Sequence, residues 1–563
     1  SLLLVDFFQL LIPLIIKRTI DALTFGKADA GILLRFGMGI MILAFFIAAF
    51  RYLWRLTLLG HSRIVEEKLR NRLYAHLQTL SMSFYQKTKT GDVMARTIND
   101  INAVRMATGM GMVAMTDGMV LGLAAIVFMI HISPILTLIS LIPAPVMIFL
   151  VRIFTRRMSN GFERVQKTFS DLTEKVREAF AGIRVIKAYA RETWEMDKVK
   201  DEGKKYISEN LQLARTLALF FPMMAVFTTL GLALVIWAGG RLTIFGNITT
   251  GDFVAFISYL HLLAWPMMAI GWVTNLIQRG SASMRRINRI LDTAPEIVDL
   301  PGARMMPRIR GTIRFNNLSY RFPEQPVHVL KDVSFTIEAG QTMALVGRVG
   351  SGKTTLLQSI PRLYPVPQGT VFVDDVDIGD LSLKSLRSGI GFVTQESVIF
   401  SDTVRSNVLF GRQEASGASL ESALRAAQVY DDVLDLEQGL DSLLGERGIT
   451  LSGGQRQRLT IARALIADPP ILILDDALSM VDTRTEETIL NQILSLRSTK
   501  TNLIVSHRIS TISRADLIVV LNGGEVVESG THETLLARGM EYAKLYERQL
   551  LASELETEKN DVR

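Results

Sequence analysis

The sequence predicts two dissimilar halves: an α-helical membrane domain of six spans with long intracellular helices, then an α/β domain of the phosphate-binding-loop type. Three observations carry this prediction. Apolar runs long enough to cross a bilayer fill the first half of the chain. From residue 311 onward, short β-rich runs such as Thr312–Phe315, Thr342–Val346 and Ile471–Leu474 alternate with helical patterns, the mark of a largely parallel sheet. A glycine-rich motif stands between one of those runs and a helical stretch.

Composition narrows the class before any motif is read. The chain has 563 residues, 48% of them hydrophobic and 21% charged. That length calls for more than one domain, and the average conceals an apolar half and a soluble-looking half. The net charge of +7 suits either nucleic acid or the basic cytoplasmic loops of a membrane protein. The apolar runs demand a bilayer in any case, so the second reading is taken and no nucleic-acid partner is expected. The absence of cysteine excludes disulfides, thiol catalysis and cysteine-held metals.

Six segments reach or approach the ~20 apolar residues a membrane helix requires: 1–23, 33–60, 109–131, 133–155, 216–239 and 253–278. The first opens on Ser1-Leu2-Leu3-Leu4-Val5, already inside an apolar run, and is read as a span whose start lies outside this sequence. The connections alternate. Short ones fall near Lys27, His131 and Asn247; long ones cover 61–108 and 156–215. The long ones keep helical spacing (Ile64, Leu69, Leu73, Leu77), so the helices are expected to continue beyond the membrane before turning back. They also hold most of the basic residues of the first half, including Arg63, Lys68, Arg156, Arg157, Arg184 and Lys187, which places them in the cytoplasm. Pro301, Gly302, Pro307 and Gly311 then mark a linker. The expected organisation is a membrane domain over 1–285, a linker over 286–310, an α/β domain over 311–550 and a charged tail over 551–563.

Gly347-Arg348-Val349-Gly350-Ser351-Gly352-Lys353-Thr354 matches G-x-x-x-x-G-K-[ST] between the apolar run Met343–Val346 and the helical stretch Thr355-Leu356-Leu357. Glycines there let backbone N–H groups curl around phosphate oxygens, and the helix N-terminus adds its positive dipole end. Lys353 is placed to reach the β- and γ-phosphates of a nucleotide, and Thr354 to offer its hydroxyl to Mg²⁺. Ile471-Leu472-Ile473-Leu474 ends in Asp475, a second carboxylate suited to Mg²⁺. Together these imply a P-loop nucleotide binder.

Leu451-Ser452-Gly453-Gly454-Gln455 narrows the class. Alone it reads as a helix cap, with Ser452 at the N-cap. Between the other two motifs it resembles the signature of the ABC transporter family. That resemblance implies an α/β P-loop ATPase cassette with a helical subdomain, in which Ser452, Gly453, Gly454 and Gln455 close over the ATP of a partner cassette. Further positions resemble the family pattern. Phe322, with Tyr320 as the fallback, looks like the aromatic that stacks on adenine; Gln395 looks like the glutamine that meets Mg²⁺; His507 looks like the histidine at the γ-phosphate. Gly445-Glu446-Arg447-Gly448 is similar to an exporter-specific loop, and Ser479–Asp482 to the loop that crosses to the other cassette. In the first half, Arg51–Arg55, Thr90–Arg96 and Gly182–Tyr189 resemble the exporter-type fold, the last two its coupling helices. The closest likeness is a multidrug-resistance-like half-transporter, one member of a heterodimer.

One position departs from the pattern. Asp476 stands where hydrolysing cassettes carry glutamate, the group that polarises the attacking water. Its side chain is shorter by about 1.5 Å, so slow hydrolysis at this chain's own site is expected, with a different partner chain supplying glutamate. The implied function is ATP-driven, Mg²⁺-dependent efflux of hydrophobic or amphipathic compounds by a multi-pass protein of the cell inner membrane, its cassette in the cytoplasm. A slow homodimeric exporter of lipid or peptide, and an ATP-gated channel or regulatory subunit, are the alternatives. His261, Trp265, Pro266, Met267, Met268, Trp272 and Asn275, with Phe220, Phe221, Met223 and Met224, are the candidate transport-cavity residues.

Overall fold

The computed structural model describes residues 1–550 apart from Ala28, Glu324, 446–450, His507 and Gln549. The expectations placed on His507, on Glu446-Arg447-Gly448 and on the tail lie outside the described residues. Two compact units emerge, one of residues 1–78 and 89–293, the other of residues 79–88 and 294–563.

In the first unit α1 spans Leu2–Thr24 and α2 spans Ala30–Thr79. After the short α3 (Met82–Lys87) of the second unit come α4 (Thr90–Ile132), α5 (Pro134–Ala181), the short α6 (Ile183–Ala188), α7 (Glu192–Ile244) and α8 (Thr250–Leu291). Local chemistry sets their ends. The Asp29 carboxylate accepts the Ile32 N–H at 2.7 Å to start α2, Ser133 caps the Pro-led start of α5, and Thr249 and Asp252 form a reciprocal capping box on α8.

Five of these helices, α2, α4, α5, α7 and α8, are long and apolar enough to cross a membrane. The sequence reading expects six spans. The shortfall is α1, whose 23 residues include Asp6, Lys17, Arg18 and Asp21, too many charges for an uninterrupted apolar stretch. The long connections are helical, as their spacing predicts. α7 alone has 53 residues, about 80 Å at 1.5 Å per residue, well over twice the hydrocarbon thickness. Outside the apolar stretches polar pairs hold the helices: Arg164 to Glu209 at 2.9 Å between α5 and α7, and buried Asp100 on α4 accepting from Ser283 and Arg286 on α8 at 2.9 and 2.5 Å.

The second unit contains two sheets. One is antiparallel, in the order β2-β1-β4-β5, from β1 (Ile313–Tyr320), β2 (Leu330–Ile337), β4 (Val371–Val373) and β5 (Val376–Asp377). The other has six strands in the order β10-β9-β3-β8-β7-β6. Here β3 is Thr342–Gly347, β6 Ile390–Val393, β7 Ile471–Asp475, β8 Thr501–Val505, β9 Leu517–Asn522 and β10 Glu525–Gly530. All its pairs are parallel except β9 with β10. Its central strands β3, β7 and β8 are buried along their whole length. Burial on both faces is why their sequences are continuous apolar runs without alternation. A separate hydrophobic core gathers α10 (Gly417–Ala426), α11 (Gly453–Ile466) and α12 (Thr483–Leu496) around Leu420, Leu424, Leu459, Ile461 and Ile489. This is a helical subdomain beside the sheet.

Candidate nucleotide site

The sheet order brings the phosphate-site elements together. β8 lies between β3 and β7, and Val505 registers with Leu345 on one side and Asp475 on the other. The loop leaving β3 and the carboxylate ending β7 therefore stand two strand spacings apart, about 10 Å, and side chains bridge the gap. Helix α9 (Lys353–Ser359) follows the loop, and the Thr354 hydroxyl donates to Asp475 Oδ1 at 3.2 Å.

Two glycines of the loop answer to geometry. A Cβ on Gly347 would stand 2.2 Å from the Leu521 carbonyl oxygen, and Gly352 sits at φ +101°, a left-handed conformation that only glycine adopts readily. Gly350 shares that conformation, at φ +79°, while Arg348 and Val349 point outward with Val349 fully exposed. The Lys353 ammonium folds back onto the loop, donating to the carbonyls of Gly347 and Arg348 at 2.8 and 2.9 Å. Burial lowers its pKa, opposed by the negative charges of Asp475 and Asp476. The Asp475 carboxyl moves the other way. Burial raises it, helped by Asp476, against the Thr354 hydroxyl and Lys353.

These residues fit an anion and a hard cation. Ser351 is buried in the loop and its hydroxyl finds no hydrogen-bond partner among the described residues; the same holds for Asp475 Oδ2. A buried orphan carboxylate oxygen beside a threonine hydroxyl is the oxygen donor set that Mg²⁺ takes, and an orphan hydroxyl in a glycine cradle suits a phosphate. Thr355 follows inside α9, half-buried.

Asp476 adopts φ +50°, a conformation that aspartate tolerates better than most residues. Gln395 donates to its Oδ2 at 3.3 Å. Gln395 thus meets Asp476, and among the described residues no hydrogen bond joins it to Asp475. Phe322 is half-buried, with its ring edge-on to Tyr320 at 5.2 Å and to Tyr364 at 5.0 Å between centroids. Tyr320, the fallback, is buried against the antiparallel sheet and is less available to a base.

The signature turn begins α11, and its helix-cap character is fully realised. The Ser452 hydroxyl accepts from Gln455 N–H at 3.2 Å while the Gln455 side chain accepts from Ser452 N–H at 2.9 Å. Gln455 also donates to Asp432 at 2.8 Å. Gly453 and Gly454 pack against Met480, where added Cβ atoms would come within 2.8 and 3.0 Å of its sulfur and carbonyl oxygen. Among the described residues no hydrogen bond joins this turn to the P-loop of the same chain.

Sequence reading missed Gln457. It is buried on α11; its amide donates to the Ser479 hydroxyl at 3.1 Å and accepts from Met480 N–H at 2.8 Å. Arg508 completes the support, donating to Val481 O at 2.9 Å and pairing with buried Glu486. The loop 479–482 and the signature turn are thereby one hydrogen-bonded piece. The clue available in the sequence was a polar side chain on the buried face of α11. Replacing Gln457 with leucine strands the Met480 N–H and is expected to destabilise the second unit by about 2 kcal/mol, read as an earlier first transition in thermal unfolding of the full chain.

In the membrane unit a cavity of about 430 Å³ lies between α4 and α8, lined by Met115, Met119, Leu123, Pro266, Val273 and Ile277 among others. Of the candidates read from sequence, Pro266 contributes. Trp265 and Trp272 are exposed elsewhere on α8, and Met224 lines a smaller cavity with Met147 and Leu263. The side chains of Phe221, Met267 and Met268 lie outside the description.

Comparison with known proteins matches both halves. Residues 1–267 match the ABC transporter transmembrane region and residues 330–479 match the ABC transporter family. The chain is 36% identical over 98% of its length to the probable multidrug resistance ABC transporter ATP-binding/permease protein YheI of Bacillus subtilis, covering 94% of that protein. It is 35% identical over 99% of its length to the multidrug resistance-like ATP-binding protein MdlA of Escherichia coli, again covering 94%. Identity to the ATP-dependent lipid A-core flippase of Syntrophus aciditrophicus is 40%, over 86% of this chain and 80% of that one. A solved structure of a bacterial Atm1-family ABC exporter with ATP bound superposes with a TM-score of 0.80 at 27% identity, covering 97% of this chain and 96% of the other.

Proposed function

Because this chain belongs to the ABC transporter family and carries a membrane region and one ATP-binding cassette in a single polypeptide, we propose that it works as half of an exporter for hydrophobic or amphipathic compounds. ATP-driven export by a multi-pass membrane protein with a cytoplasmic cassette is supported by its relatives, described as a probable multidrug resistance ABC transporter ATP-binding/permease protein, a multidrug resistance-like ATP-binding protein and an ATP-dependent lipid A-core flippase. The observation that carries the reading is the convergence of Lys353, Thr354 and Asp475 at the end of the parallel sheet. In this reading α1 serves as the sixth span: Asp6 is buried, Lys17 pairs with Asp252 of α8 and Asp21 accepts from the Gly251 N–H.

In this reading Gly347, Gly350, Ser351, Gly352 and Lys353 hold the phosphates of ATP, with Arg348, Val349 and Thr355 as their chain neighbours, and Phe322 stacks on the adenine. Thr354, Gln395 and Asp475 would hold Mg²⁺, which when bound offsets the negative charge of the phosphates. His507 acts at the γ-phosphate. Ser452, Gly453, Gly454 and Gln455 face the ATP of a second half-transporter, a reading supported by the lack, among the described residues, of a hydrogen bond from them to the P-loop of their own chain. Asp476 is a short base whose carboxylate already engages Gln395, so the working site belongs to the partner and the pair is heterodimeric. The Met-lined cavity between α4 and α8 receives the transported compound, because flexible thioethers accommodate varied apolar shapes.

The test is uptake of a lipophilic dye by inside-out vesicles containing the full chain with its co-purifying partner. Uptake should require hydrolysable ATP. Dye accumulation that is indifferent to ATP would refute export, and unitary currents on ATP addition would identify a channel instead.

A further inference from the structure

The second unit contains a segment the nucleotide motifs do not explain. Residues 79–88, with α3 at their centre, pack with 294–563, although the chain on both sides of them belongs to the membrane unit. Two anchors hold the segment. Ser81 and Ser83 both donate to Glu296, the first at 3.1 Å. Gln86 Nε2 donates to the Tyr364 hydroxyl at 2.7 Å.

Tyr364 is a junction. It is 5% exposed and follows α9, the helix that opens at Lys353, by only a few residues. Its ring meets Phe322 edge-on, with centroids 5.0 Å apart and planes at 88°, and meets Tyr320 at 5.9 Å. Its hydroxyl, meanwhile, is engaged by Gln86. A single side chain therefore touches the aromatic assigned to the base and the docked segment. A ring packed edge-on fixes the plane of its neighbour. A buried phenol with a hydrogen-bond partner cannot move without breaking that bond.

We propose that Tyr364 is a positioning residue that links base stacking on Phe322 to residues 79–88 through the Gln86 hydrogen bond. Occupancy of the adenine face fixes Phe322, Phe322 fixes the Tyr364 ring, and the hydroxyl fixes Gln86. The inference rests on the reading of Phe322 as the base-stacking aromatic and adds a specificity role: the exporter senses which base is bound, as well as the phosphates.

The experiment uses the full chain with its partner in vesicles, measuring KM for ATP, ATP hydrolysis and dye transported per ATP hydrolysed. Tyr364→Phe keeps the ring and removes the hydroxyl. KM for ATP should stay within about twofold while transport per ATP falls about tenfold, the equivalent of losing one hydrogen bond. Gln86→Leu should match it, and the double variant should fall no further. Gln86→Glu should retain coupling, because the phenol can donate to a carboxylate. Unchanged transport per ATP in Tyr364→Phe, or multiplicative losses in the double variant, would overturn the proposal. Phe322→Ala tests the underlying reading separately. It should raise KM for ATP and erase the preference for ATP over CTP; if it does neither, the base-stacking assignment fails whatever the outcome at Tyr364.

Discussion

Changing Asp476 to glutamate is expected to accelerate ATP hydrolysis at this chain's own P-loop by on the order of 10²-fold. The estimate follows from reach. A general base must come within hydrogen-bonding distance of the water it polarises, and a shortfall near 1 Å costs about that factor. Asp476 follows β7 directly, and the close packing of that buried strand resists a compensating shift of its backbone. Its carboxylate is also spoken for by Gln395 at 3.3 Å. The measurement is ATPase activity of the purified full chain, alone, before and after the substitution. Brisk hydrolysis by the unmodified chain alone would show that aspartate reaches the water and that no unlike partner is needed.

Replacing Lys353 with alanine should be more damaging and should act on binding. In the described state its ammonium rests on the Gly347 and Arg348 carbonyls, ready to exchange them for phosphate oxygens. Charge-assisted hydrogen bonds are each worth about 1.5–3 kcal/mol. Losing those to the phosphates should weaken ATP affinity by on the order of 10²-fold or more. The loss also removes a cation that favours the charged form of buried Asp475. Titration with a fluorescent ATP analogue reports the affinity directly. An affinity within a few-fold of the unmodified chain would mean that the lysine does not reach the phosphates.

The contrast between Lys353 and Tyr364 explains what the sequence could reveal. The P-loop is legible because its chemistry constrains the backbone locally: Gly347 admits no Cβ and Gly352 must be left-handed. Asp475 is legible because it ends an unbroken apolar run, and the run is unbroken because β7 is covered on both faces. The long helices were readable from apolar spacing. Gln457 and Tyr364 were not, since each acquires its partner only through tertiary placement. Gln457 meets Met480 across 23 positions, and Tyr364 meets Gln86 across 278. The stretch of the first half that packs in the cassette unit is residues 79–88, just ahead of Thr90–Arg96, whose sequence resembles a coupling helix. α1 has the length of a span, and its four charges set it apart from the five uninterrupted apolar helices.

The signature turn closes its hydrogen bonds upon itself. Ser452 and Gln455 satisfy each other, Gln455 reaches Asp432, and Gln457 ties the helix to Met480. Such a turn has little conformational freedom left to lose when a second cassette arrives. On the proposed pairing with a second cassette this turn is a rigid die, ready before the nucleotide is, and the tempo of closure would fall to the approach of the two cassettes and the occupancy of the facing P-loop, without waiting on the ordering of Ser452–Gln457.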